Sequence, residues 1–200
     1  MEVKVTNPSA GLPNSKGEQG LMLKLMRSIL LERLHHAVRE QNLQLIELLI
    51  AQGADPNGFI DGQCPLTMLV SLHGERRPHL PTVYALLMLG ANVNVQDGTG
   101  ATPLAYAAEN GYDDICRLLS AAGADPLIID KHGRIPLMRA AQGGHLMALV
   151  TLLYCREPKV QLLTKDHWGH SVRAYASNDD IRGFLSQFYT RDSSPIKSMT

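Results

Sequence analysis

The sequence predicts an all-α fold, a solenoid of stacked two-helix units, on three observations. Leu104 and Leu137 stand 33 residues apart, and Gly100-Ala-Thr-Pro-Leu104 returns as Gly133-Arg-Ile-Pro-Leu137. Upstream, G-A-D-P-L at 123–127 is echoed by G-A-N-V-N at 90–94 and by G-A-D-P-N at 53–57. Between these landmarks, apolar residues recur at helical spacing. A fixed period near 33 residues marks a unit that cannot bury its apolar face alone and must stack on its neighbours.

The stretch from Asp97 to Leu127 is the most regular copy. Thr102 can cap a helix start with its hydroxyl, and Pro103 suits the first helical position, where a missing N–H costs nothing. Leu104, Ala107 and Ala108 give this helix a narrow apolar side that lets a second helix approach closely. Gly111 supplies the backbone freedom for a tight reversal. Ile115, Cys116, Leu118 and Leu119 then lay one buried stripe along a second helix, which Gly123 ends.

The pattern D-x-x-G-x-T-P-L, an apolar helix, then G-A-D, resembles the ankyrin repeat family over about residues 32–189. The resemblance implies helix–turn–helix repeats joined by β-hairpin-like loops. Four repeats fall at about 32–57, 58–94, 95–127 and 128–163, with a truncated C-terminal capping repeat at 164–190. It also implies a binding scaffold and not an enzyme, and it leaves the partner open.

The remaining elements follow in order. Residues 1–20 carry Pro8, Gly11, Pro13, Gly17 and Gly20 without apolar periodicity and are expected to be disordered. From Leu21 the pattern is helical, and Leu34, Ala37 and Val38 match the inner-helix positions of repeat one. Leu45, Ile46, Leu48, Leu49 and Ile50 form its outer helix. Residues 21–31 are expected to extend the first helix and cap the open end of the stack. With Lys24 and Arg27 they could instead form an amphipathic membrane or partner helix, or part of a targeting sequence.

Repeat two opens at Pro65-Leu66 and closes at Leu86, Leu87 and Leu89. It is five residues longer between its helices than the reference copy, and the excess falls at His73 to Pro81. Such a loop is either a tolerated insertion or a second contact site. The hairpin before it is one residue shorter. Repeat four departs at Arg156-Glu157-Pro158, where G-A-D is expected, and Pro158 should end its outer helix. In the last unit Arg173 replaces the usual leucine, as suits a unit with no neighbour beyond. Residues 191–200 are polar and expected to fray; Ser194-Pro195 could accept a phosphate.

Composition narrows the function classes. Lysine plus arginine and aspartate plus glutamate number 19 each in 200 residues, so no net field draws nucleic acid or acidic lipid. Three unspaced cysteines argue against a disulfide framework and for a reducing compartment. No stretch reads as a secretory signal or bilayer span. The expectation is a monomer in cytoplasm and/or nucleus.

No nucleophile–base pair, carboxylate pair or metal shell has convincing spacing, so no catalytic residue, cofactor or metal is expected. Cys64 takes the threonine position of a T-P-L turn, Cys116 and Cys155 lie on outer helices, and burial is expected for all three. His167 and His170 could share a zinc, but such sites need three or four protein ligands. The resemblance implies inter-repeat hydrogen bonding by His35. Thr67, Ala105 and Met138 replace it in the next three repeats, which points to modest stability.

Carried over from the family, the exposed positions of the concave strip are Gln96, Thr99, Ala101, Glu109 and Asn110 in repeat three. In repeat four they are Ile129, Lys131, His132, Arg134 and Gln142, with Arg139. The last unit adds His167, Trp168 and His170. Read as a surface, the strip turns from neutral to basic with apolar or aromatic anchors. It suits a partner protein segment with acidic residues and one such anchor. Alternatively, Trp168 folds back onto Tyr175 or Leu162-Leu163. The function expected is an adaptor or scaffold; the alternatives are an inhibitory or regulatory subunit of an enzyme or transcription factor, or an enzyme or zinc protein.

Overall fold

A computed structural model describes residues 16–74, 77–155 and 158–189. Four helix pairs follow one another: α1 (Lys16–Arg39) with α2 (Leu43–Ala51), α3 (Pro65–Ser71) with α4 (Leu80–Met88), α5 (Pro103–Glu109) with α6 (Asp113–Ala121), and α7 (Pro136–Gly143) with α8 (Leu146–Cys155). A short α9 (Pro158–Leu163), a 3-10 turn (Val172–Tyr175) and α10 (Asp179–Ser186) follow among the described residues. Among the described residues the one extended pairing is a bridge between Ile60 and Gln63, so the fold is all-α.

The C-terminal part of α1, the short inner helices α3, α5 and α7 and the 3-10 turn pack neighbour on neighbour, and α4, α6 and α8 line up behind them. Leu34, Leu66, Leu104 and Leu137 occupy equivalent inner positions with no exposed surface. Ile46, Leu86, Ile115, Leu119, Leu149 and Ile181 complete the strip from the outer helices. Each such leucine or isoleucine contributes about 1.5–3 kcal/mol by leaving water.

Local chemistry sets the helix starts. Asn42, Thr102 and Asn178 accept from the backbone N–H three residues on, at 3.1, 3.2 and 2.9 Å. Cys64 does the same with its sulfur, and Thr67 returns a bond to the Cys64 N–H. Ile135, where the motif has threonine, makes no side-chain cap. Gly111 sits between α5 and α6 at φ +72°, and a Cβ there would come within 2.5 Å of the His145 ring.

One device recurs in the loops that join the pairs. Oδ1 of Asp97, Asp130 and Asp166 accepts the backbone N–H groups two and four residues on, at 2.7 to 3.0 Å. Oδ2 is taken by the side chain nine residues on: Tyr106 at 2.6 Å, Arg139 at 2.8 Å and Tyr175 at 2.5 Å. Each carboxylate thereby folds a finger and ties it to its own inner helix. The fingers also bond to one another, Gly98 N–H to the Gly62 carbonyl, Lys131 N–H to Thr99 and His167 N–H to His132. At the opposite end of the units, Asn57 and Asn94 bridge consecutive G-A-x turns through both amide atoms.

Several expectations need correction. Helix α1 begins at Lys16, so residues 16–20 are helical and not disordered. Residues 1–15 and 190–200, with Ser194-Pro195, lie outside the described residues. Capping by 21–31 is confined to Leu30 and Leu31, because Leu21 to Ile29 stay exposed. Leu80 and Pro81 belong to the first turn of α4, where proline loses no hydrogen bond. Pro158 likewise opens α9, and α8 is described as far as Cys155.

Burial alone would raise the Asp97 and Asp130 carboxyls, but the hydrogen bonds they accept outweigh it and hold both below the usual carboxylate range. Burial pushes the His35 imidazole down, against the pull of the Gly58 carbonyl 3.2 Å away. In both cases the unfolded chain binds more protons, so stability falls with falling pH. The windows differ. The His35 contribution is present above about pH 6.5 and fades below it, while the carboxylate contributions persist to about pH 4. Melting temperature should therefore decline between pH 7 and 5, and His35→Gln should flatten that decline; an unchanged slope in the variant contradicts the assignment. Asp130→Ala leaves the buried Arg139 with Glu109 as its one carboxylate partner and removes the acceptor of two finger N–H groups, and should cost about 3–5 kcal/mol in urea unfolding; a loss below about 1 kcal/mol would show that Asp130 does not hold its finger.

Candidate interaction surface

The inter-finger hydrogen bonds set three tips in a row: Gly98-Thr99, Lys131-His132 and His167-Trp168. Close approach of the last two depends on Gly133, at φ +78°, where a Cβ would lie 2.7 Å from the His167 nitrogen. Lys131, His132, His167, Trp168 and His170 all face solvent. Trp168 is 62% exposed and stacks on the His132 ring, with centroids 5.7 Å apart and planes inclined by 20°. It does not fold back: the Tyr175 hydroxyl donates to Asp166, and Leu162 is buried with its carbonyl accepting from the Tyr189 hydroxyl. Ile129 adds an exposed apolar side chain beside this row, and its carbonyl accepts from the Gln96 amide.

Other expected surface residues are engaged within the protein. Ala101 is buried, because its N–H is drawn onto Asp97. Arg139 is 5% exposed and not a surface residue; it bonds Asp130 at 2.8 Å and Glu109 at 2.5 Å and lies 5.6 Å over the Tyr106 ring. Burial disfavours its charge, but Glu109 and Asp130 outweigh that and push its pKa up. Arg134 is half-buried, paired with Asp130 at 2.9 Å and bonded to Gln142. Asn110 reaches back to the Val70 carbonyl and Thr99 to Asp97. Two arginines against Asp130 and Glu109 leave this floor neutral. The positive character of the strip therefore resides at the tips, in Lys131.

Sequence reasoning missed the aspartates, Tyr106 and Tyr175 as the groups that shape the surface. Their signal was present as a nine-residue spacing from each finger Asp to a Tyr or Arg.

Among the described residues no three His, Cys, Asp or Glu side chains come together as metal ligands. His170 lies 3.4 Å from Asp166, whose oxygens are already occupied. Burial drives the Cys116 thiol far above its ordinary range; Cys155, expected to be buried, is exposed at the end of α8. No described helix is long and apolar enough to cross a membrane.

The inserted loop is pinned between repeats. Gln41 bonds the Arg77 carbonyl and the His79 N–H, and Arg77 pairs with Asp114 at 2.8 Å while lying over the Tyr112 ring.

Comparison with known proteins agrees with this geometry. Residues 75–166 match ankyrin repeats in three copies, and residues 34–58 match a single ankyrin repeat. The chain is 37% identical over 92 residues to the ARF GTPase-activating protein Git of Drosophila melanogaster, covering 44% of this chain and 12% of that protein. It is 35% identical over 117 residues to Rabankyrin-5 of Mus musculus, covering 52% and 10%. To the B-cell lymphoma 3 protein homolog of Mus musculus it is 34% identical over 112 residues, covering 55% and 24%. The chain thus spans less than a quarter of the length of these relatives. With helix pairs, fingers and matched residues all in one register, the chain belongs to the ankyrin repeat family and carries a protein-interaction module.

Proposed function

We propose that this chain acts as an adaptor or scaffold that holds a partner segment along the finger tips of its third, fourth and last units. The observation that carries the reading is Trp168: a large ring, exposed and stacked on His132, beside Lys131 and Ile129. Aromatic side chains held rigidly at a surface lose little entropy on binding and dominate interface energetics. Lys131 makes no ion pair among those described, so it is available to a carboxylate. Arg134, Arg139, Glu109 and Gln142 already satisfy one another and supply a fixed floor. A segment with acidic residues and one apolar or aromatic anchor fits this arrangement.

Panning a random peptide display library on the chain should enrich acidic peptides with an aromatic or large aliphatic residue. Trp168→Ala should weaken the selected peptides about 30-fold or more, equivalent to ~2 kcal/mol, with the melting temperature unchanged because the ring is exposed. Lys131→Glu should weaken them further at low salt than at high salt. Peptides that bind both variants as tightly as the parent would place the contact elsewhere.

A further inference from the structure

The row of finger tips continues one unit further than the proposed contact. Gly62 offers its carbonyl to Gly98 as Thr99 does to Lys131 and His132 to His167, so these residues, with Trp168, share one register. Three positions before each stand Phe59, Gln96, Ile129 and Lys165, all exposed; one position before, Asp61 is the counterpart of Lys131. Neighbouring fingers touch along the first of these columns, since the Gln96 amide donates to the Ile129 carbonyl at 3.0 Å. The row has unlike ends. Phe59, 50% exposed, and the negative Asp61 mark the first; Lys131, Lys165 and Trp168 mark the other. Asp61, Lys131 and Lys165 make no ion pair among those described. Arg39, on the floor beside the first end, is turned to the Met68 sulfur 3.8 Å away.

We infer that the partner segment is gripped at both ends of this row: its acidic end carries the anchor held at Trp168, and its other end carries a basic residue for Asp61 and a second apolar side chain for Phe59. The inference rests on the reading that the tips hold a partner segment, and it adds that segment's length, second anchor and direction. Packed helices lie ~8–10 Å apart, so the three steps from Phe59 to Trp168 span about 24–30 Å. An extended chain covers about 3.3 Å per residue, which places the two anchors about seven to nine residues apart. Charge fixes the direction. A reversed segment would set its acidic end against Asp61 and its basic end against Lys131 and Lys165, and like charges brought together reject the wrong orientation. Between the ends Gln96, Gly98 and Thr99 carry no charge, so the middle of the segment is left free in sequence.

Fluorescence anisotropy with two labelled peptides of about twelve residues tests this. Both carry the acidic, anchored sequence selected on the finger tips together with Lys and Leu, placed about eight residues from the anchor in one and about four in the other. The full chain should bind the long-spaced peptide about tenfold more tightly. Phe59→Ala should remove that advantage and leave the short-spaced peptide unchanged. Asp61→Asn, a residue that tolerates the positive φ of 51° at this position, should remove the contribution of the peptide Lys alone. A nitroxide on the Lys end should broaden the Gly62 and Gln63 amide signals of the unsubstituted chain, which locates that end whatever Phe59→Ala does to folding. Equal affinity for the two peptides, or an advantage that survives Phe59→Ala, overturns the inference; if Trp168→Ala still weakens both, the proposed function stands without it. Peptides that ignore Trp168→Ala as well defeat both readings. An apparent affinity that falls as chain concentration rises, the mark of a second copy seated on Phe59, also overturns the inference.

Discussion

The carboxylate at the base of each finger is the constraint on which the surface depends. A loop between two helix pairs exposes backbone N–H groups with no ladder to satisfy them. Asp97, Asp130 and Asp166 each take two of those donors on one oxygen and reach the inner helix with the other. The finger is thereby fixed within its own repeat. Lys131 and His167 donate to the tip in front of them and bring the row together. Where the aspartate is missing, before repeat two, the loop instead closes as a tight hairpin with Asp61 and Gly62 at positive φ and the Ile60–Gln63 bridge.

The choice of third partner grades the surface along the stack. Tyr106 and Tyr175 are neutral donors, so Asp97 and Asp166 keep their negative charge in the fold. Arg139 brings a charge into the wall, and Arg134 and Glu109 close the network around it. Such a buried ion network is poor evidence of net stability, but its members become costly to remove singly. It also explains why Glu109, Arg134 and Arg139, three charged residues expected on the binding face, leave that face neutral once Asp130 joins them, and why recognition shifts outward to Trp168 and Lys131.

The repeat period, the helix starts and the apolar strip were legible in the sequence, because they rest on local rules. A cap three residues before the N–H that it accepts, a proline at a first turn and leucines at 3.6-residue spacing need no knowledge of neighbours. Arg139 and Ala101 were misread as surface because their burial depends on a side chain nine or four residues away. The extent of α1 was misread because glycines at 17 and 20 signal disorder locally, while the helix propagates backward from a segment anchored at Leu31 and Leu34. Pro158 and Pro81 show the same limit: a proline marks a helix boundary, but whether it ends one or begins the next depends on what precedes it.

Pre-organisation of the fingers is the claim that everything else requires, and amide hydrogen exchange tests it most directly. If the carboxylates hold the tips, the N–H groups of Thr99, Ala101, His132, Arg134, Trp168 and His170 should exchange slowly, with protection comparable to that of α5 and α7. Exchange of those six amides at unstructured-chain rates, with the helices still protected, would mean that the tips are not held, and the account would fail at its base.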